Sequence, residues 1–159
     1  MKNTANYWLL KTEPNTFSID DLAKLPKQTS PWDGVRNYQA RNMLRDDIQK
    51  GNLAFFYHSS CAVPGVAGVV EVVRGGYPDA AAWDPESPYY DPKSTPENPI
   101  WYRVDVRLIK VFSHIVTLQQ LRQTPQLEEM VLLRKGNRLS VMPVTKNQFE
   151  QILKLSEKN

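Results

Sequence analysis

Leu53-Ala54-Phe55-Phe56-Tyr57-His58-Ser59-Ser60-Cys61-Ala62-Val63-Pro64-Gly65-Val66-Ala67-Gly68-Val69-Val70-Glu71-Val72-Val73 reads as two neighbouring strands. An aromatic and aliphatic run over 53–57 has the look of a buried strand, a small-residue loop follows, and an apolar, β-branched run begins at Val66. Immediately upstream, Lys50-Gly51-Asn52 stops a helix predicted over 37–48. Asn37 is its cap, Ala40, Leu44 and Ile48 share one buried face, and Arg41, Arg45 and Asp46 face away. Further back, Ser18 with Asp21 makes a capping box and Phe17 with Leu22 a hydrophobic staple for a brief helix that Pro26 ends. A first strand over 7–11 stops at Glu13-Pro14-Asn15.

Downstream, residues 75–100 hold Pro78, Pro85, Pro88, Pro92, Pro96 and Pro99. They oppose regular structure, while Tyr77, Trp83, Tyr89 and Tyr90 argue for an ordered excursion packed on the domain rather than a boundary. A strict alternation over 102–108 sets Val104, Val106 and Leu108 against Arg103, Asp105 and Arg107, the signature of a half-buried strand. Thr117 with Gln120 and Thr145 with Gln148 predict helices over 117–123 and 145–155, with a short helical segment near 127–130 and a strand near 140–142 between them. Strand and helix do not alternate steadily, which excludes a doubly wound sheet and favours a small curled or barrel-like one with peripheral helices.

The 159 residues suit one domain, expected to occupy 1–159 with its core over about 6–155. A net charge of +3 is too small to identify a nucleic-acid binder, although the two ends hold the surplus of bases and the middle the surplus of acids. One cysteine, Cys61, excludes an intrachain disulfide framework. With only His58 and His114 beside it, a soft-ligand metal site is not expected, nor any cofactor. No apolar stretch approaches the roughly 18 residues of a membrane span, and residues 1–6 lead into Tyr7-Trp8-Leu9-Leu10 without the pattern of an export signal. A cytoplasmic protein without membrane attachment is the expectation.

Chemistry-bearing residues collect where elements end: Lys11-Thr12-Glu13-Pro14, Trp32-Asp33-Gly34-Val35-Arg36-Asn37 and Tyr57-His58-Ser59-Ser60. If these converge, Trp32 offers a flat wall for a base, Asn37 or Ser59 tests its polar edge, and Arg36 meets a phosphate. Each has a plain alternative: Trp32 as a core plug, Asn37 as a helix cap, Arg36 as a solvated arginine, and Lys11 with Glu13 as an inconsequential pair. Arg134-Lys135-Gly136-Asn137-Arg138-Leu139-Ser140 is a basic glycine turn able to approach a phosphate, but it lacks the nucleotide-triphosphate fingerprint. Tyr89 and Tyr90 either complete an aromatic cage or pack the excursion onto the sheet.

Taken together, the motifs of residues 7–14, 32–42, 56–59, 84–93 and 134–140 closely resemble the EVE domain family. The resemblance implies an α+β fold, a PUA-like pseudo-barrel of about five or six strands with peripheral helices, related to YTH and ASCH domains. It also implies a non-catalytic module that recognises a modified base, foremost a methylated or hydroxymethylated cytosine in DNA or RNA. By that likeness Trp32, Asn37, His58, Ser59, Thr12 and Tyr90 line the base pocket, while Lys11, Glu13, Arg36, Arg134, Arg138 and Ser140 form its rim or meet the backbone. Thr12 stands where relatives commonly carry serine, and Ser60 where they often carry asparagine.

Two rival readings follow from the residues. His58 beside Ser59, Ser60 and Cys61 is the material of a hydrolase or base-modifying enzyme, provided Glu13 or Asp33 orients it. Alternatively, the proline-rich excursion is the binding face of a protein-interaction module.

Overall fold

A computed structural model describes residues 6–158; residues 1–5, part of the stretch read as lacking an export signal, lie outside them, as does residue 159. Strands β1 (Tyr7–Thr12), β2 (Thr29–Trp32), β3 (Leu53–His58), β4 (Gly65–Pro78), β5 (Tyr102–Thr117) and β6 (Val141–Val144) form one sheet in the order β2-β5-β4-β3-β1-β6. β1 runs parallel to β3, and the other pairs are antiparallel. Helices α1 (Ile19–Ala23), α2 (Tyr38–Asn42), α3 (Leu118–Arg122) and α4 (Lys146–Glu157) cover it.

Side-chain alternation on the central strands builds two cores. Trp8, Leu10, Ala54 and Phe56 enter one, closed by Ile19 and Leu22 of α1, by Ala40 of α2 and by Leu44 just after it. Leu9, Phe55 and Tyr57 enter the other, closed by Leu121 of α3 and Phe149 and Ile152 of α4. A sheet covered on both faces explains why β1 and β3 read as continuous apolar runs.

The pseudo-barrel expectation is corrected: the sheet has six strands and the α+β mix, but it is open. Closure would require β2 to pair with β6. Each is a four-residue edge with a proline inside it, Pro31 or Pro143, which removes a ladder donor, and each pairs on one side only, with β5 and β1 respectively.

Capping boxes at Ser18, Thr117 and Thr145 start α1, α3 and α4 as the local chemistry demands. The helix predicted over 37–48 is α2 followed by a π-turn at Met43–Asp47, where Ile48 N–H donates to Met43 O at 2.9 Å. β4 passes close to that turn at Gly76, where a Cβ would stand 2.3 Å from Leu44 O. β4 and β5 extend beyond the runs that announced them, with register shifts that bend the pair. Residues 75–78 therefore belong to β4, and the irregular excursion begins after Pro78.

Candidate functional site

Three chain segments are fastened side by side by two backbone bonds: Ser59 N–H to Thr12 O at 2.9 Å and Lys11 N–H to Ser140 O at 2.8 Å. Beside them opens a cleft of about 650 Å³, within the range of small-ligand sites. Lys11 and Thr12 from β1, Glu13 after it, Ser59 and Ser60 after β3, and Arg138 and Ser140 before β6 line one side. Phe17, Trp32, Asp33, Gly34 and Arg36 line another, and Tyr89 reaches in from the excursion.

Trp32 is packed into the core and also borders the cleft. Its indole meets Phe56 nearly perpendicularly at 5.3 Å and Phe17 at 6.2 Å, leaving 6% of the residue exposed. Gly34 beside it has φ +79°, and a Cβ there would lie 2.6 Å from Tyr89 Cζ. The Tyr89 ring thus rests on bare backbone. Ser60 also adopts a left-handed φ of 54°, a conformation that asparagine and glycine tolerate better than serine.

Arg36 is not free for a phosphate. Its Nε and Nη2 donate to Tyr89 O at 3.2 and 2.7 Å, and its Nη1 donates to Asp79 Oδ2 at 3.0 Å. Asp79 is fully buried: it also accepts from Gly34 N–H at 3.0 Å and Ala81 N–H at 2.9 Å, and Arg103 Nη1 lies 3.6 Å from its Oδ1. This carboxylate ties the Trp32–Arg36 turn, the excursion and β5 together. No periodic pattern marks it in the sequence; its only local signal is an Asp placed to cap Ala80–Trp83. Asp33, facing the cleft, has its carboxyl pKa raised by burial and by Asp79, against the pull of Arg103 and Arg36.

Several expected residues stand elsewhere. Asn37 caps α2, accepting from Ala40 N–H at 3.0 Å, and does not border the cleft. Tyr90 points to solvent while its neighbour Tyr89 occupies the cleft wall. Arg134 borders two other depressions. His58 lies behind the wall, where its Nε2 accepts from Ile19 N–H at 3.1 Å and its ring meets the Phe56 ring at 5.5 Å. Neither Glu13 nor Asp33 hydrogen-bonds it, so the orienting acid of the enzyme reading is not in place. Among the described residues no group of three or more His, Cys, Asp or Glu side chains is placed to hold a metal, and no helix is long and apolar enough to cross a membrane.

The His58 contact carries a pH prediction. Burial lowers its pKa below 6.5, with Asp20 and Asp21 opposing, and a ring protonated at Nε2 could not accept from Ile19. The unfolded chain therefore takes up this proton at a higher pH than the folded one. The contribution is complete above pH 6.5 and is lost as pH falls through the folded value. Thermal melts below pH 6.5 should fall more steeply for the native chain than for His58→Gln, whose amide oxygen accepts without titrating; parallel curves would dismiss the contact.

The model of the family described as EVE domain matches residues 6–155. Thymocyte nuclear protein 1 of Homo sapiens is 42% identical over 175 residues, covering 99% of this chain and 77% of that protein. A crystal structure of a Pseudomonas syringae protein is 49% identical with a TM-score of 0.90, covering 94% of this chain and 99% of that one. Human THYN1 protein, crystallised in complex with 5-methylcytosine-containing DNA, is 42% identical with a TM-score of 0.90 over 96% of this chain and 98% of that one.

Proposed function

The chain belongs to the EVE domain family, and from that premise we propose that it is a non-catalytic reader of a modified cytosine, foremost 5-methylcytosine in DNA. The observation that carries this reading is the likeness, at 42% identity and a TM-score of 0.90, to a protein crystallised with DNA containing that base. The cleft supports it with aromatic walls at Trp32 and Tyr89, hydroxyls at Thr12, Ser59 and Ser140, and cations at Lys11 and Arg138.

The base leaves its stack and enters beside Trp32. Extrusion from a duplex costs a few kcal/mol, so mismatched, modified or single-stranded targets enter most easily. A buried methyl contributes only about 0.8 kcal/mol, or roughly fourfold in affinity, so stronger preference has to come from the shape of the cleft around it. Asp33 supplies the polar test: a carboxylate accepts from the amino group of cytosine, and burial leaves this one short of hydration.

The test is binding at fixed salt to matched single- and double-stranded DNA and RNA carrying unmodified, methylated or hydroxymethylated cytosine. Methylated DNA should bind best, and Asp33→Asn should weaken it by about tenfold, within the 1–3 kcal/mol of a base-edge contact. Equal affinity for every strand would reject the reading.

A further inference from the structure

Next to the cleft is a second depression of about 390 Å³, and the two share Lys11. Its cations are Lys11, Arg122, Arg134 and Lys135, set around Tyr57 and the open turn at Gly136, and no carboxylate lines it. The 134–140 stretch borders both depressions, with Arg134–Asn137 on the second and Arg138–Ser140 on the first.

These cations differ from most other arginines of the fold, although among the described residues Arg74, which lies over the Tyr77 ring, is unpaired as well. Arg36, Arg41, Arg45, Arg103 and Arg107 are each held by a carboxylate, a carbonyl or an amide oxygen. Among the described residues, the side chains of Lys11, Arg122, Arg134, Lys135 and Arg138 form no ion pair or hydrogen bond. Lys11 is the most constrained of them: its amine lies 5.8 Å from the centre of the Tyr57 ring, and burial lowers its pKa with no anion to offset the loss of water. At Gly136, φ is +77° and nothing lies within 4 Å of where a Cβ would stand, so backbone as well as side chains is open to an approaching strand.

We infer that the second depression holds the sugar-phosphate chain flanking the base taken into the first, which makes a polynucleotide, not a free nucleoside, the full ligand. The assignment rests on the base-reading proposal for its register and on the free cations for its chemistry. The shared Lys11 joins the two depressions, so one strand can occupy both. Contacts of this kind position a strand without reading its sequence, and they release counterions.

Arg122, Arg134 and Lys135 are exposed, so Arg134→Ala/Lys135→Ala and Arg122→Ala should fold normally, which thermal melts verify. Binding is measured across a potassium chloride series to 5-methyl-2′-deoxycytidine and to single-stranded 12-mers carrying one methylated or unmodified cytosine. The double variant is expected to lose roughly tenfold for both strands, keep their affinity ratio and leave the nucleoside unaffected, while the slope of log affinity on log salt shrinks by about 1.4. An unchanged slope with an intact ratio would overturn the phosphate assignment and leave base reading standing. A shrunken slope with a ratio of one from the start would retain the phosphate contact and overturn base reading. A native chain that bound no strand would overturn both.

Discussion

Asp79→Ala is expected to lower stability by about 3–5 kcal/mol, because it strips the partner from two largely buried guanidiniums. The carboxylate is wholly buried and faces Arg36, Arg103 and the amides of Gly34 and Ala81. For a chain of this size such a loss lowers Tm by roughly 6–20 °C. The damage should concentrate at the cleft, since Arg36 then loses one of the two anchors that hold Tyr89 and the excursion against the Trp32–Arg36 turn. Hydrogen exchange should show the amides of Gly34 and Ala81 opening first. Asp79→Asn, which keeps an acceptor and removes the charge, should fall between the native chain and alanine; equal stability of all three would mean that the buried carboxylate is not the tie described.

Trp32→Ala is expected to abolish preference for the modified base and to cost about 3–5 kcal/mol through the cavity left among Phe17, Phe56 and the rest of that core. Two effects in one substitution need separating. Trp32→Phe keeps an aromatic ring against Phe56 and should stay well folded, while its smaller face weakens the stacking worth about 1–3 kcal/mol per base. The two variants should therefore rank in binding as native, phenylalanine, alanine at temperatures where each is folded. Undiminished preference for the methylated strand in folded Trp32→Ala would remove the indole from the site.

What could be read from the chain was what its neighbours in sequence determine. Ser18, Thr117 and Thr145 cap helices because hydroxyl and backbone lie three residues apart, and the runs at β1 and β3 are apolar because both faces are covered. β2 was not legible. Thr29-Ser30-Pro31-Trp32 is polar, short and proline-bearing, and it becomes a strand only because β5 lies beside it. Openness of the sheet is likewise a matter of which distant edges meet, which is why a barrel-like outline was a reasonable and incorrect expectation. Within the site, the ends of β1 and β3 and the 138–140 stretch could be named from composition, but Tyr89 and Tyr90 are indistinguishable until the Gly34 turn gives one of them a seat. Asn37 illustrates the opposite case, where the ordinary role of a helix cap consumed the side chain. Asp79 was invisible because everything it does is done across the fold.

The pairing of β1 has a consequence for how the protein is made. Its two neighbours, β3 and β6, begin 46 and 134 residues after it. During synthesis β1 must therefore hold an unpaired edge until Val141–Val144 have followed, and contacts of such separation form slowly. Because Lys11 bonds Ser140 at the mouth of the cleft, nascent chains halted before residue 140 have a sheet with one side of its binding cleft missing. The cleft is thus completed only once the 138–144 stretch has been made, and a chain terminated before it lacks both that wall and the α4 side chains that close the second core.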